Sequence, residues 1–308
     1  MSCYVQGSES VLDYVAQAEF GTIPDTPTLK RIPVRTHSLN LVKERVQGMD
    51  FLGDRLPTDD RHGTRRGEGT IEVDLRGDDY DEFLESAFFN TFNAGELKVG
   101  STPKYLLVED GVPEKDLFRR FTSLAVNQAT FSIQPDQMVQ ATFDCRAQQM
   151  ITSNSTISAE AATAPSGNAP FDSFSGKIYE GGTAGGDEIN IVTSLQFSIQ
   201  NSLNPIYAIG SDIATCMEYG MAVVEGTMSV YYKDMALINK FLAEVETSLS
   251  VSVSDPSVSP DVYTFNFPRV KLNGASVPLA NPQSRIIELP FVALRSASDG
   301  TNLILTKS

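Results

Sequence analysis

Glu68-Gly69-Thr70-Ile71-Glu72-Val73-Asp74-Leu75 and Glu225-Gly226-Thr227-Met228-Ser229-Val230-Tyr231-Tyr232 are the two stretches that decide the fold. In the first, Ile71, Val73 and Leu75 point one way and Glu72 and Asp74 the other. That is the period-two pattern of a strand with one buried face and one wet face. An amphipathic segment follows each stretch. Tyr80, Phe83, Leu84, Ala87 and Phe88 form one stripe at helical spacing, and Ile238, Phe241, Leu242 and Val245 form its match. Asp78 or Asp79, and Asp234, stand where a helix N-cap belongs.

Outward from these stretches the same order of elements recurs. Ser38-Leu39-Asn40-Leu41 precedes the first and Ser194-Leu195-Gln196-Phe197 the second. Matching anchors step from 38 to 194, from 69 to 226 and from 83 to 241, a nearly constant spacing. Two more strand-like runs close each copy, 124–133 and 138–147 in the first, 262–272 and 285–294 in the second. In the run ending at 147, Val139, Ala141, Phe143, Cys145 and Ala147 share a face, and Gln140, Thr142, Asp144 and Arg146 share the other. The expected fold is mainly β, with two tandem β-sandwich or barrel domains, each carrying one flanking α-helix. The expected boundaries are 1–152 for the first domain with an N-terminal arm, 153–170 for a small-residue linker around Pro165, and 171–308 for the second domain.

Between the first two strands of the first copy lies 42–67, read as a long charged loop. Its mixed signs suit a surface that meets another copy of the chain. Arg45, Asp54, Arg55, Asp59, Arg61 and Arg65 are the candidate contact residues; a solvated hairpin tip is the alternative.

The 308 residues, 41% of them hydrophobic, suffice for one large core or two smaller ones. No run approaches the ~20 apolar residues of a membrane helix. The opening Met1-Ser2-Cys3-Tyr4-Val5 lacks the pattern of a secretory signal, so folding in the cytoplasm is expected. Three scattered cysteines, Cys3, Cys145 and Cys216, argue against a disulfide framework or a zinc site, and Cys145 and Cys216 are expected to be small buried residues. A net charge of −15 excludes a tight grip on a phosphate backbone. The Gly-rich 180–187 lacks the Lys-Ser/Thr of a phosphate loop. His37 and His62 fit no metal or triad pattern, and the adjacent carboxylates Asp59-Asp60 and Asp78-Asp79 read as turn or cap residues. Neither enzymatic activity nor a cofactor is expected.

Three segments together resemble a known family. They are Tyr14-Val15-Ala16-Gln17-Ala18-Glu19-Phe20-Gly21-Thr22-Ile23-Pro24, the run from Ser38 to Leu41 leading toward Asp54-Arg55, and Gly67 to Val73 with the following helix. Their order is similar to that in the major tail tube proteins of phages with long, non-contractile tails (siphoviruses), with the flagellum-seeking Chi-like group as the subgroup considered. The resemblance covers roughly residues 10–147, and the second half enters through the internal repeat.

The resemblance implies a structural virion protein, assembled in the host cytoplasm, whose rings stack into the conduit for DNA ejection. Family rings hold six tube domains, so a two-domain chain implies a homotrimer of pseudo-sixfold symmetry. The implied partners are further copies of the chain, the tape-measure protein in the lumen during assembly, tail tip and terminator proteins, and viral DNA passing without tight binding. No membrane is implied. Glu72, Asp74, Gln140, Asp144 and Glu288 become the candidate lumen-lining residues, with Thr142 and Ser229 between them and Arg146 as the exception. Two other classes stand beside this one. The first is another ring-forming phage component: a contractile-tail tube, a terminator or a neck protein. The second is a β-sandwich that binds a host surface.

Overall fold

Alternation at period two runs through most of the chain, and the backbone follows it into antiparallel sheet. The computed structural model describes residues 4–48, 50, 55–56, 59–181, 187–189, 191–255, 262–278 and 284–308. The first half contains β1 (Val11–Gln17), β2 (Lys30–Arg31), β3 (Thr36–His37), β4 (Asn40–Gln47), β5 (Asp60–Asp74), α1 (Asp81–Phe88), β6 (Glu96–Lys98), β7 (Tyr105–Val112), β8 (Leu117–Ile133), β9 (Gln140–Ala147) and β10 (Gln149–Ser153). The second contains β11 (Asp172–Glu180), β12 (Asp187–Glu188), β13 (Val192–Gln200), β14 (Asn204–Ile206), β15 (Cys216–Glu218), β16 (Val223–Tyr231), α2 (Ala236–Leu242), β17 (Thr247–Ser254), β18 (Val262–Leu272), β19 (Ile286–Ala293) and β20 (Ile304–Lys307).

The two halves share one order of pairing. In the first, one sheet runs β4·β5·β9·β8 and a second runs β10·β8·β7·β1. In the second, the corresponding orders are β13·β16·β19·β18 and β20·β18·β17·β11. One long strand in each half, β8 or β18, passes from one sheet into the other and so forms the corner. In β8 the change of partner falls beside Ser123, which takes a left-handed φ of 48° and donates its N–H to the Gln17 side chain. Its hydroxyl accepts the Gly21 N–H at 2.7 Å.

The halves are also stitched together. Residues 128–132 of β8 pair with β9 on one side and, with Ile133, pair with β13 on the other, so the two inner sheets are continuous. The β8–β13 seam carries the aromatic core. Phe131 and Phe197 stack across it at 4.9 Å, and Phe265 and Phe267 pack against them. A second stitch brings β6 of the first half onto β20.

The segment 42–67 is not a loop at its base. It forms the arms of a hairpin, β4 and β5, because Asn40 to Gln47 pair with Glu68 to Asp60. In the distal part, 43–47 and 60–67, both faces are largely polar, which hides the alternation that marks a strand in sequence. Register also moves one repeat anchor. Phe197 pairs with Gly226, while Leu39 lies against Gly69, so Leu39 rather than Leu41 is the counterpart of Phe197.

The helix expected from Asp79 begins at Asp81, and the one expected from Asp234 spans Ala236–Leu242. Asp234 does accept the Ala236 N–H at 2.9 Å. Asp79 does not cap α1; its carboxylate accepts the Ser166 N–H at 2.7 Å. That contact belongs to the stretch 154–170, which lies over the first half. Arg31 donates its N–H to the Thr163 carbonyl, and the Thr163 N–H bonds Leu29 in return. Buried Cys145 matches its expectation, whereas Cys216 is exposed, since β15 turns Met217 inward instead.

Helix α1 sits inside the molecule. Phe83, Leu84, Ser86, Ala87 and Phe88 are all buried, and Phe83 packs between Tyr14 at 5.0 Å and Phe143 at 5.6 Å. The three large side chains each contribute about 1.5–3 kcal/mol by leaving water. Helix α2 has no buried residue at all.

Candidate functional site

The continuous inner sheet has two unlike faces. One carries Ile71, Val73, Phe143, Phe131, Phe197 and Leu289 into the core. The other is polar, and the pairing register lays its residues out in rows across the strands. One row reads Glu72, Thr142, Thr130, Ser198, Glu225, Val292. The next reads Asp74, Gln140, Ser132, Gln196, Thr227, Pro290. A third reads Thr70, Asp144, Gln128, Gln200, Val223. Glu288 pairs with Ser229, which pairs with Ser194.

Glu72, Asp74, Gln140, Asp144 and Glu288, the five residues singled out in sequence, therefore lie on one polar face. Glu72 and Glu288 are exposed and the other three half-buried. Asp144 accepts a hydrogen bond from the Asn127 amide at 2.7 Å. Asp74 pairs with Arg35 at 3.2 Å. Arg146 stands directly across from Glu68 in the register, while the Glu68 carboxylate pairs with Arg66. Arg66 bridges Glu44 at 2.7 Å and Glu68 at 2.8 Å, and these hydrogen bonds hold its guanidinium above the ordinary arginine range. The result is a wall of Ser, Thr and Gln interrupted by carboxylates.

Sequence reading missed Glu68, Glu225, Arg35 and Asn127 on this face. The first two were within reach, because they open the two matching tripeptides. Arg35 and Asn127 were not, since one lies outside the strands and the other occupies a bulge where the register of β8 shifts.

The hairpin candidates divide. Arg45 donates to both oxygens of Asp60 at 2.9 Å. Arg55, Asp59 and Arg61 are exposed. Asp54 lies outside the described residues. Arg65 is engaged within the chain: it pairs with Asp212 at 3.0 Å and donates its backbone N–H to the Asp212 carbonyl at 2.7 Å. His37 faces Asp110 at 3.7 Å, and His62 is exposed on β5.

The inner sheet is open at both ends. β4 pairs on one side with β5. At the far end, the chain runs on past β18 along β19, with Asn273 bonded to the Pro290 carbonyl and Ser276 paired with Glu288. Among the described residues no strand covers the outer edge of either segment.

A family model described as phage tail tube protein matches residues 7–293, and the chain belongs to that family. No curated protein matches it.

Proposed function

We propose that this member of the phage tail tube family is the major tube subunit of a long, non-contractile tail, a structural rather than catalytic protein. Its copies close into rings, the rings stack, and the polar face of the inner sheet lines the channel through which DNA leaves. The observation that carries this reading is the inner sheet itself. Eight strands, β4, β5, β9, β8, β13, β16, β19 and β18, run side by side with a core on one face, a carboxylate-bearing polar surface on the other, and two open edges.

The two halves are read as tandem copies of one tube domain, a reading supported by their shared strand order and by the Glu-Gly-Thr tripeptides at equivalent places. Three chains then supply six domains and about 24 strands. At ~4.8 Å between strands and ~45° tilt, the barrel is on the order of 50 Å across its backbone, and side chains narrow it to roughly 40 Å. A DNA duplex passes through such a bore. The other partners that follow are the tape-measure protein that fills the lumen during assembly and the tip and terminator proteins at the two ends.

Duplex DNA carries a negative charge every ~1.7 Å. A cationic wall would hold it by counterion release, whereas a wall of hydroxyls, amides and spaced carboxylates lets it slide. The paired Glu72→Lys and Asp74→Lys substitutions lie on the polar face and remove no core packing. Tails built with them are expected to eject DNA slowly or to stall, while Glu72→Gln with Asp74→Asn ejects normally. Ejection at the wild-type rate from the lysine tails would count against the lumen assignment.

A further inference from the structure

The seam between the two halves is a template for the seam between two chains. At the inner seam, β8 and β13 pair with Thr130 opposite Ser198, Ala129 opposite Ile199 and Phe131 opposite Phe197. Each participant has a counterpart at an open edge. β18 runs along β19 as β8 runs along β9, with one extra residue at the same place: Val126 to Gln128 oppose Cys145 and Asp144, and Leu272 to Ser276 oppose Phe291 to Glu288. Asn273 thus occupies the bulge position of Asn127, Ala275 that of Ala129, Ser276 that of Thr130, and Val277 that of Phe131. On the other edge Leu39 is the counterpart of Phe197 and Asn40 that of Ser198, since Asn40 pairs with Glu68 as Ser198 pairs with Glu225.

We propose that a second copy of this chain adds its 39–42 edge to residues 274–277, antiparallel, with Ser276 opposite Asn40, Ala275 opposite Leu41 and Val277 opposite Leu39. The inference rests on the tube reading and gives the ring its register. Three observations converge on it. The side chains fit: Ala275 and Val277 pack against the core, and Leu39 is buried, as at the inner seam.

The backbone fits as well. Ser276 exchanges both of its hydrogen bonds with Glu288, so Ala275 and Val277 turn their polar groups outward. Ser38 donates to Thr70, so Leu39 and Leu41 turn outward on the other edge. In the single chain two of these outward groups are capped by side chains: the Leu41 N–H bonds the Asn40 carboxamide at 2.9 Å, and the Val277 carbonyl accepts from Arg285 at 2.9 Å. Such caps blunt an edge until a partner strand displaces them.

The helices supply the third observation. At the inner seam α1 is buried, and Asn201 at the end of β13 donates to the α1 carbonyl of Ala87 at 2.9 Å. Its counterpart α2 lies against β18 and packs Leu237, Ile238 and Phe241 on the core, but leaves Leu242 70% exposed and Val245, just past its end, 49% exposed. A neighbour seated in the proposed register brings its β4–β5 hairpin over α2, as the segment after β13 lies over the end of α1.

Ser276 and Asn40 become a non-hydrogen-bonded cross-strand pair, with Cα atoms about 4.5 Å apart, inside the range of a disulfide. The test is the Asn40→Cys, Ser276→Cys variant in a Cys3→Ser, Cys216→Ser background, oxidised after assembly and read on non-reducing gels beside electron micrographs. Both positions are exposed, so the chain keeps its core. Rings or tubes whose chains become covalently joined, with no joining in the out-of-register Val42→Cys, Ser276→Cys variant, support the proposal. Rings or tubes that stay unjoined at 40/276, or that join only at 42/276, overturn the register and leave the tube reading standing. A parent protein that forms neither rings nor tubes overturns the tube reading, and this seam falls with it.

Discussion

Gly69 and Gly226 hold the same place in their halves, and each is required by a close approach of the neighbouring strand. A Cβ at Gly69 would lie 2.5 Å from the Ser38 carbonyl oxygen, and one at Gly226 would lie 2.5 Å from that of Gln196. Backbone, not a flexible side chain, is in the way, so Gly69→Ala and Gly226→Ala are each expected to cost about 1–3 kcal/mol or more. Thermal melts of the two variants check this; an unchanged Tm in either would show that the strands can part without cost. Glu82 gives a pH-dependent counterpart. Burial raises its pKa, but hydrogen bonds from Lys30 and Tyr14 outweigh burial and hold the carboxylate below its ordinary value. A depressed carboxylate stabilises the fold above its unfolded pKa and loses that effect as pH falls through the folded value. Glu82→Gln is thus expected to cost about 1–3 kcal/mol at pH 7 and progressively less toward and below pH ~4. Equal losses in urea midpoint at both pH values would contradict the ionised role. The tripeptide around each glycine was legible in sequence, but its cause was not, because the clashing atoms belong to residues about thirty positions away.

The two helices follow strands of matching place in the two halves but lie in different surroundings, and this difference is testable. Phe83→Ala opens a cavity between Tyr14 and Phe143 and is expected to cost about 3–5 kcal/mol in the isolated subunit. Leu242→Asp alters an exposed position, so the subunit should melt within about a degree of wild type while ring formation is lost. A variant that still assembles would remove α2 from the seam. Sequence showed both apolar stripes but not that the chain buries the α1 stripe fully and the α2 stripe only in part, since full burial depends on the β8–β13 stitch. Strands such as β9, with strict alternation, could be placed to within two residues at either end. The distal hairpin arms, 43–47 of β4 and 60–67 of β5, could not, because a segment largely polar on both sides carries little periodic signal. The strap 154–170 reads as linker from composition, yet its hydrogen bonds to Leu29, Arg31 and Asp79 are set by tertiary contacts that small polar residues do not announce.

At the scale of the molecule, one chain presents an inner sheet that is continuous through both halves and open at each end. Its polar, carboxylate-bearing face and its two uncovered edges suit a segment of a barrel wall. Lumen candidates were readable because one period-two rule sorted them to a face, whereas the seam was not, since it depends on which strand of one half meets which strand of the other. If identical chains close this sheet into a ring, each contributes two similar lobes. Electron microscopy of the purified protein at rising concentration, with end-on views classified by symmetry, shows this directly. Hollow rings or tubes with threefold symmetry and six similar lobes are expected. Dispersed particles at every concentration, or rings of six whole chains, would contradict this.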